Sequence, residues 1–315
     1  MSGVIAQEPE VFGEAAKSGR RGTVRTILRE RPSAIAGIVV IGLFIFMAIF
    51  GPMLSPYGVH ERVGPPFEPP SLAHPLGLDD AGIDMLTLIM QGARISLTVG
   101  FAASAIAILI GSVVGIVAGY YGGRRDLVLM RITDYFLVIP DIPLMLVIAA
   151  VWGQRLTNII LVIGFLLWTW TARVIRSQVK SVRERVYVRR SLALGGSNAH
   201  TIFLHVLPQV APLIVANAVL LIAVAIFDET ALAFLGLSDP TATSWGLLIR
   251  HAYEASAVSA GAWWAIVPPG VCVALVILAS TMVGQALEDS LNPRLKASYL
   301  AAKGFRLRRL QREEA

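Results

Sequence analysis

The chain has 315 residues, of which 55% are hydrophobic and only 15% charged, and its mean hydropathy is +0.67. A soluble domain carries about 25% charged residues, so the composition excludes one and points to an all-α integral membrane protein. The net charge of +6 does not imply nucleic acid as a partner, because cations gathered at the ends of apolar runs meet lipid head groups and fix topology.

Residues 1–33 are polar and rich in Arg, Gly and Glu. They read as a tail, with one or two turns of amphipathic helix at 24–31 lying on the membrane surface or as a solvated basic leader. Ala34 to Leu54 is uncharged and long enough to span about 30 Å of hydrocarbon at about 1.5 Å per residue. It exceeds a secretory h-region and lacks a small-residue cleavage site, so it reads as a retained signal anchor. Five more apolar runs follow: Ile95 to Gly119, Tyr135 to Trp152, Leu156 to Ala172, Gln209 to Phe227 and Ala262 to Leu287. Six transmembrane helices are therefore expected. Pro268 and Pro269 predict a kink near the start of the last, and the three residues after Trp152 predict a tight antiparallel hairpin. The single cysteine, Cys272, excludes an intramolecular disulfide.

Of the 27 Lys and Arg, all but Arg62, Arg94, Arg155 and Arg250 fall in segments on one side of these spans. The positive-inside rule makes that side cytoplasmic, with both termini and the basic segment Tyr187 to Pro208 on it, and turns the Ser55–Gly92 and Ala231–Gly261 segments outward.

Within the spans, Gly111, Gly115 and Gly119 recur every fourth residue. They form either a groove for close helix approach or the ordinary glycine content of membrane helices. Intramembrane carboxylates are costly and tend to face cavities or partners. Asp134 lies near the cytoplasmic end and pairs in this reading with Arg131. Asp141, between Pro140 and Pro143, is placed to line a pathway. Asp228 and Glu229 close the fifth span, as gate or partner contacts or as plain helix-end polar residues in the solvated interface.

Tyr187 to Pro208 is too polar to cross a bilayer. Leu192, Ala193 and Leu194 follow Arg189, Arg190 and Ser191 and precede Gly195-Gly196, the pattern of a short amphipathic helix ended by glycine. Ser197 and Asn198 are positioned to cap a second helix that carries Ile202, Phe203 and Leu204 and stops before Pro208. Catalytic and metal motifs are missing from the sequence: there is no phosphate-binding G-x-x-x-x-G-K-[ST] loop, no H-E-x-x-H, no C-x-x-C and no G-x-S-x-G, and the five histidines lack ligand spacing. Neither an enzyme nor a resident cofactor or metal is expected, so active transport would need an energy source on another chain.

The segment resembles the coupling loop of ABC importer permeases: Glu-Ala-Ala, three residues, Gly, nine residues, one of any kind, one more, then Leu-Pro. Here the Gly is Gly195, His205 fills the position after the nine, and Leu207-Pro208 close the pattern. The resemblance extends to the C-type permease of dipeptide and oligopeptide importers. Its blocks are His74-Pro75-Leu76-Gly77 with Asp79 and Asp84, Gly92 to Leu97, Gly119 to Gly123 with Asp126, Met130-Arg131 and Asp134, Glu229 to Leu237, Ser244-Trp245-Gly246, Trp263-Trp264, and Leu291-Asn292-Pro293-Arg294.

The resemblance implies a type I ABC importer permease fold in a bacterial cytoplasmic membrane. It divides the chain into a cytoplasmic tail at 1–33, a first transmembrane helix at 34–54, an extracytoplasmic loop at 55–92, a permease domain at 93–288 with its coupling loop at 187–208, and a cytoplasmic tail at 289–315. It further implies a homologous B-type permease, two ABC ATPase subunits that hold ATP and Mg, and an extracytoplasmic substrate-binding protein. Cargo would be dipeptides or oligopeptides, or in the same frame glutathione or a nickel chelate.

Departures are Arg189-Arg190-Ser191 in place of Glu-Ala-Ala, which predicts acidic compensation in the ATPase groove or altered docking, Ile83 where Arg is common, and Asp239-Pro240 in the outer loop. Two other classes compete. A proton-coupled secondary transporter would use Asp134 and Asp141 and show internal repeats and discontinuous helices, which the sequence does not display. A non-transporting scaffold would leave the glycine-centred loop without a purpose.

Overall fold

A computed structural model describes residues 32–291. The expected amphipathic turns at 24–31, both tails and the Asn292-Pro293-Arg294 block lie outside the described residues. The described chain is helical, with one isolated bridge between Leu78 and Asp84. Five helices are long and apolar enough to cross a membrane, or six spans if one sharply bent pair counts as one.

Helix α1 (Pro32–Leu54) lies at the periphery and leaves Val39, Leu43, Ile49 and Met53 exposed. It docks through Gly37 on Ala279 and through Gly51 on Met90. Helix α2 (Met85–Tyr121) starts ten residues before the apolar run, because Asp84 caps it: its carboxylate accepts from the Thr87 amide and hydroxyl, both at 2.9 Å, and meets His74 Nδ1 at 3.0 Å.

The third predicted span is not one helix. Helix α3 (Gly123–Val138) and helix α4 (Asp141–Trp152) meet at an 88° bend. Pro140 forces the preceding Ile139 into extended backbone (ψ 129°), which ends α3 there. The discontinuous helix that the sequence did not display is therefore present.

Helix α5 (Leu156–Arg183) runs 11 residues beyond Ala172, so the expected loop from Arg173 is helix as far as Arg183. The close approach of α2 and α5 settles the glycine reading: a Cβ at Gly111 would sit 2.6 Å from the Trp168 carbonyl oxygen, at Gly115 2.7 Å from that of Ala172, and at Gly119 2.8 Å from that of Arg176.

Helix α6 (Val186–Ala193) is followed by the short helix α7 (Asn198–Thr201), which does not stop before Pro208. It passes through a π turn (Ile202–Val206) into helix α8 (Leu207–Phe234), so the span runs unbroken from Asn198. Pro208 has no N–H for an α-type bond to Leu204, and it is tolerated in the first turn after the wider π turn.

Helix α9 (Trp245–Glu254) lies at the opposite end of the bundle, and a 3₁₀ turn (Trp263–Ala265) leads into helix α10 (Val267–Leu291). Pro268 and Pro269 do not kink a span; they occupy the first turn of α10, where their missing N–H groups cost nothing. Trp245, fully buried, ties α9 to α2 by donating its indole N–H to the Ile89 carbonyl (3.0 Å), and Phe44 of α1 packs edge-on against it.

Candidate functional site

Residues 184–206 form a compact knuckle at one end of the bundle. Its underside is fixed by burial: Val188, Thr201 and Val206 have no exposure, and Val188 and Val206 join Tyr120 of α2, Val179 and Val182 of α5 and Val210 of α8 in one apolar cluster. The Tyr120 hydroxyl donates to Asn198 Oδ1 at 3.1 Å, and Ser197 Oγ accepts from the His200 amide. Ser191 Oγ lies 3.5 Å from the Thr201 hydroxyl. Gly195 turns the chain at φ +87°, a conformation that needs glycine.

The outer surface has the opposite character. Arg189, Arg190, Leu192, Ala193, Leu194 and Gly195 are exposed, with Leu194 at 82%, while His205 and Pro208 are half-buried. Phe203 and Leu204 are exposed beside them. A rigidly seated helix thus presents apolar side chains flanked by cations to water, the form of a docking surface. Arg189, which stands where the resembled pattern has a carboxylate, pairs with Glu184 of its own chain, and this bond holds the Glu184 carboxyl below its usual range.

The predicted intramembrane carboxylates separate into different roles. Asp134 pairs with Arg173 of α5 at 2.6 Å rather than with Arg131. Asp126 is not among the site residues expected from the sequence, yet it accepts from Arg176 Nη2 (2.8 Å) and Lys180 Nζ (2.7 Å) and is nearly buried. Cations spaced three and four residues apart along 173–180, facing acids eight apart on α3, are the signal that points to it. Asp141 is the first residue of α4 at the bend and is exposed. Glu229 and Asp228 do not sit in a solvated interface: they are 3% and 5% exposed. Glu229 accepts from the Ser96 hydroxyl (3.2 Å), and Ser96 in turn accepts from the Trp245 amide, so Glu229 joins α2, α8 and α9. Asp228 Oδ2 is buried without a hydrogen-bond partner among the described residues.

The other end carries the Asp239 region. Asp239 Oδ2 accepts from the Leu156 amide at 3.2 Å, and Gln154 Nε2 donates to the Gly236 carbonyl at 3.0 Å, clasping the α4–α5 hairpin to the segment after α8. The Thr241 hydroxyl, then its amide, holds the Asp239 carboxyl below its usual range. Asp79 receives the amides of Ala81 and Ile83 within its loop, and burial raises its pKa. Among the described residues no group of three or more His, Cys, Asp and Glu is placed to hold a metal ion.

Broken and continuous apolar helices around a glycine-lined core, with an exposed amphipathic knuckle at one end, define a multi-pass membrane permease. The chain belongs to the family described as binding-protein-dependent transport system inner membrane component, which it matches over residues 111–297, more than half its length. Residues 22–70 match the N-terminal TM domain of oligopeptide transport permease C.

Similar proteins include the dipeptide transport system permease protein DppC of Alkalihalophilus pseudofirmus, 35% identical over 86% of this chain and 88% of the relative. The oligopeptide transport system permease protein OppC of Bacillus subtilis is 32% identical over 85% and 88%. The glutathione transport system permease protein GsiD of Pectobacterium atrosepticum is 28% identical over 93% and 97%. The chain is thus a transport subunit of the cytoplasmic membrane.

Proposed function

We propose that this chain is the C-type permease of an ATP-driven importer that carries dipeptides or oligopeptides into the cell. It pairs with a homologous B-type permease, docks two ABC ATPases that hold ATP and Mg, and receives cargo from an extracytoplasmic binding protein. The observation that carries this reading is the knuckle at 187–208, buried beneath and apolar on top, joined without a break to α8 and packed on α2 and α5.

Arg189 to Gly195 seat in the ATPase, with Leu192 and Leu194 as its apolar anchors. ATP-driven closure of the ATPase pair moves the knuckle, and the rigid continuation into α8 passes that motion to the spans. Nucleotide binding thereby biases a two-state membrane element, and by linkage the membrane element biases nucleotide affinity. Asp141 and Asp228 are the pathway candidates on the α4 and α8 sides, and Asp134 and Glu229 act as braces. Both termini lie in the cytoplasm with the knuckle.

The broken α3–α4 span favours a second reading, a proton-coupled carrier. Against it, Asp134 is occupied by Arg173. Reconstitution in vesicles separates the two: vanadate-sensitive ATP hydrolysis, stimulated by binding protein loaded with peptide, is expected. Uptake driven by a pH gradient without ATP would overturn the importer reading. Parallel binding proteins loaded with glutathione or a nickel chelate assign the cargo. A cysteine at Leu194, in a Cys272→Ala background, should react with impermeant maleimide only from the cytoplasmic side.

A further inference from the structure

Four arginines lie toward the end of the bundle opposite the knuckle, and three have partners there. Arg62 donates to the Ala81 carbonyl at 2.7 Å, Arg250 pairs with Glu254 at 2.7 Å, and Arg155 lies within electrostatic range of Asp239. Arg94 differs. It is exposed on α2, inside a membrane-crossing helix, and has no acidic partner among the described residues. Its depth follows from the register of α1 against α2: Ser55 meets the Thr87 hydroxyl at 2.6 Å and Gly51 packs on Met90, so Arg94 sits one turn deeper, level with Ala48. A cation at that depth is costly unless an anion or water reaches it.

Arg94 lines an open groove of about 790 Å³ between α1 and α2. Apart from Arg94 and Thr98 its walls are apolar, among them Ile45, Ile49, Met53, Leu97 and Phe101. The Thr98 hydroxyl is already engaged with the Arg94 carbonyl at 2.6 Å, which leaves the guanidinium as the groove's free polar group. The volume holds roughly 25 methylenes at about 30 Å³ each, taking a water-sized share of liquid volume per group, which is more than one acyl chain. The α1 wall belongs to a helix whose outer side is apolar along its whole length.

We propose that this groove is a binding site for an anionic phospholipid: an acyl chain lies along α1 and α2, and the Arg94 guanidinium, carried toward the surface on its flexible stem, forms a forked bond to the lipid phosphate. A lipid site here requires only that the chain spans a membrane, so it stands apart from the cargo and ATPase assignments.

The test uses the complex purified from membranes through a tag on this chain and placed in nanodiscs of phosphatidylcholine. These carry a trace of phosphatidylglycerol with a photoactivatable acyl chain or, in a parallel sample, a diacylglycerol with the same chains and no phosphate. Cross-linked peptides are mapped by mass spectrometry. Expected are adducts on segments 45–53 and 97–102 with the phosphatidylglycerol probe, at least five-fold fewer with diacylglycerol or with Arg94→Gln, and substantial recovery with Arg94→Lys.

Ala102→Trp, which fills the groove and leaves the cation in place, should also reduce labelling at least five-fold. Equal labelling by the two probes, labelling unchanged in Arg94→Gln, or an unlabelled groove in wild type together with loss of a co-purifying membrane subunit in Arg94→Gln would each overturn the proposal. The last outcome would make Arg94 a contact between membrane subunits.

Discussion

At Asp228 a carboxylate is buried in α8 with one oxygen that no described group satisfies. Burying such a group is destabilising, so its presence argues for a use in transport. Asp228→Asn is expected to raise the thermal stability of the detergent-solubilised protein by about 1 kcal/mol while slowing uptake. Melting curves and vesicle uptake measured on the same preparation check both halves, and a fall in melting temperature would show that the carboxylate already has a partner in the assembly. Gly115 makes the contrasting case. Its Cα lies against the α5 backbone, and a side chain has nowhere to go, because the Ala172 carbonyl oxygen would be 2.7 Å from the new carbon. Gly115→Val should cost about 2–3 kcal/mol as an overpacking change and lower the melting temperature, whereas at Gly270, where an added carbon meets nothing within 4 Å, alanine should have little effect.

At the scale of elements, α3 is held by ion pairs to α5 as well as by Phe136, which packs edge-on against Phe165 and Trp168. Asp126 and Asp134 face Arg173, Arg176 and Lys180 of α5. Asp126→Asn removes the acid shared by two cations and should loosen α3, costing about 1–3 kcal/mol, with faster amide exchange confined to 123–138 as the check. The Asp239 clasp at the opposite end has a pH signature. Its carboxyl is held below the usual value of 3.8 by Thr241, so the stabilisation is complete above that value and is lost as pH falls through the lower, folded value. An acid melt of Asp239→Asn should lack this limb and match wild type in shape between about pH 5 and 8. These elements also mark how far sequence reading reaches. The six apolar runs and the cap at Ser197 are legible because hydropathy and capping are local, whereas the cap at Asp84 stands well before its apolar run and is not. The bend at Pro140 is not, since the run Tyr135 to Trp152 is apolar apart from Asp141 and long enough for one span, and the ion pairs that hold α3 in place reach 39 to 54 residues along the chain. The extended Ile139 that proline imposes is the available sign. Likewise Glu229 reads as an interfacial residue because its hydroxyl partner Ser96 is 133 residues away.

For the whole molecule, the coupling role proposed above requires a short surface helix that would transmit force without deforming. Rigidity comes from its underside: Val188 and Val206 are fully buried against the ends of α2, α5 and α8, and the π turn joins the knuckle to a helix that runs on to Phe234. Compliance at either place would absorb the stroke. In the proposed role docking falls to the outer face, where Leu194 is exposed. The two faces predict separable failures. Leu194→Asp should leave the melting temperature unchanged and reduce ATPase co-purification and peptide-stimulated hydrolysis at least ten-fold, since a charge replaces an apolar anchor at a closed interface. Val188→Ala should lower stability by about 1–2 kcal/mol through the cavity beneath the helix, retain ATPase binding, and weaken the coupling of hydrolysis to uptake. Pull-down, hydrolysis and uptake measured on the two variants side by side separate docking from transmission: if Leu194→Asp binds and couples like wild type, the knuckle is not the lever.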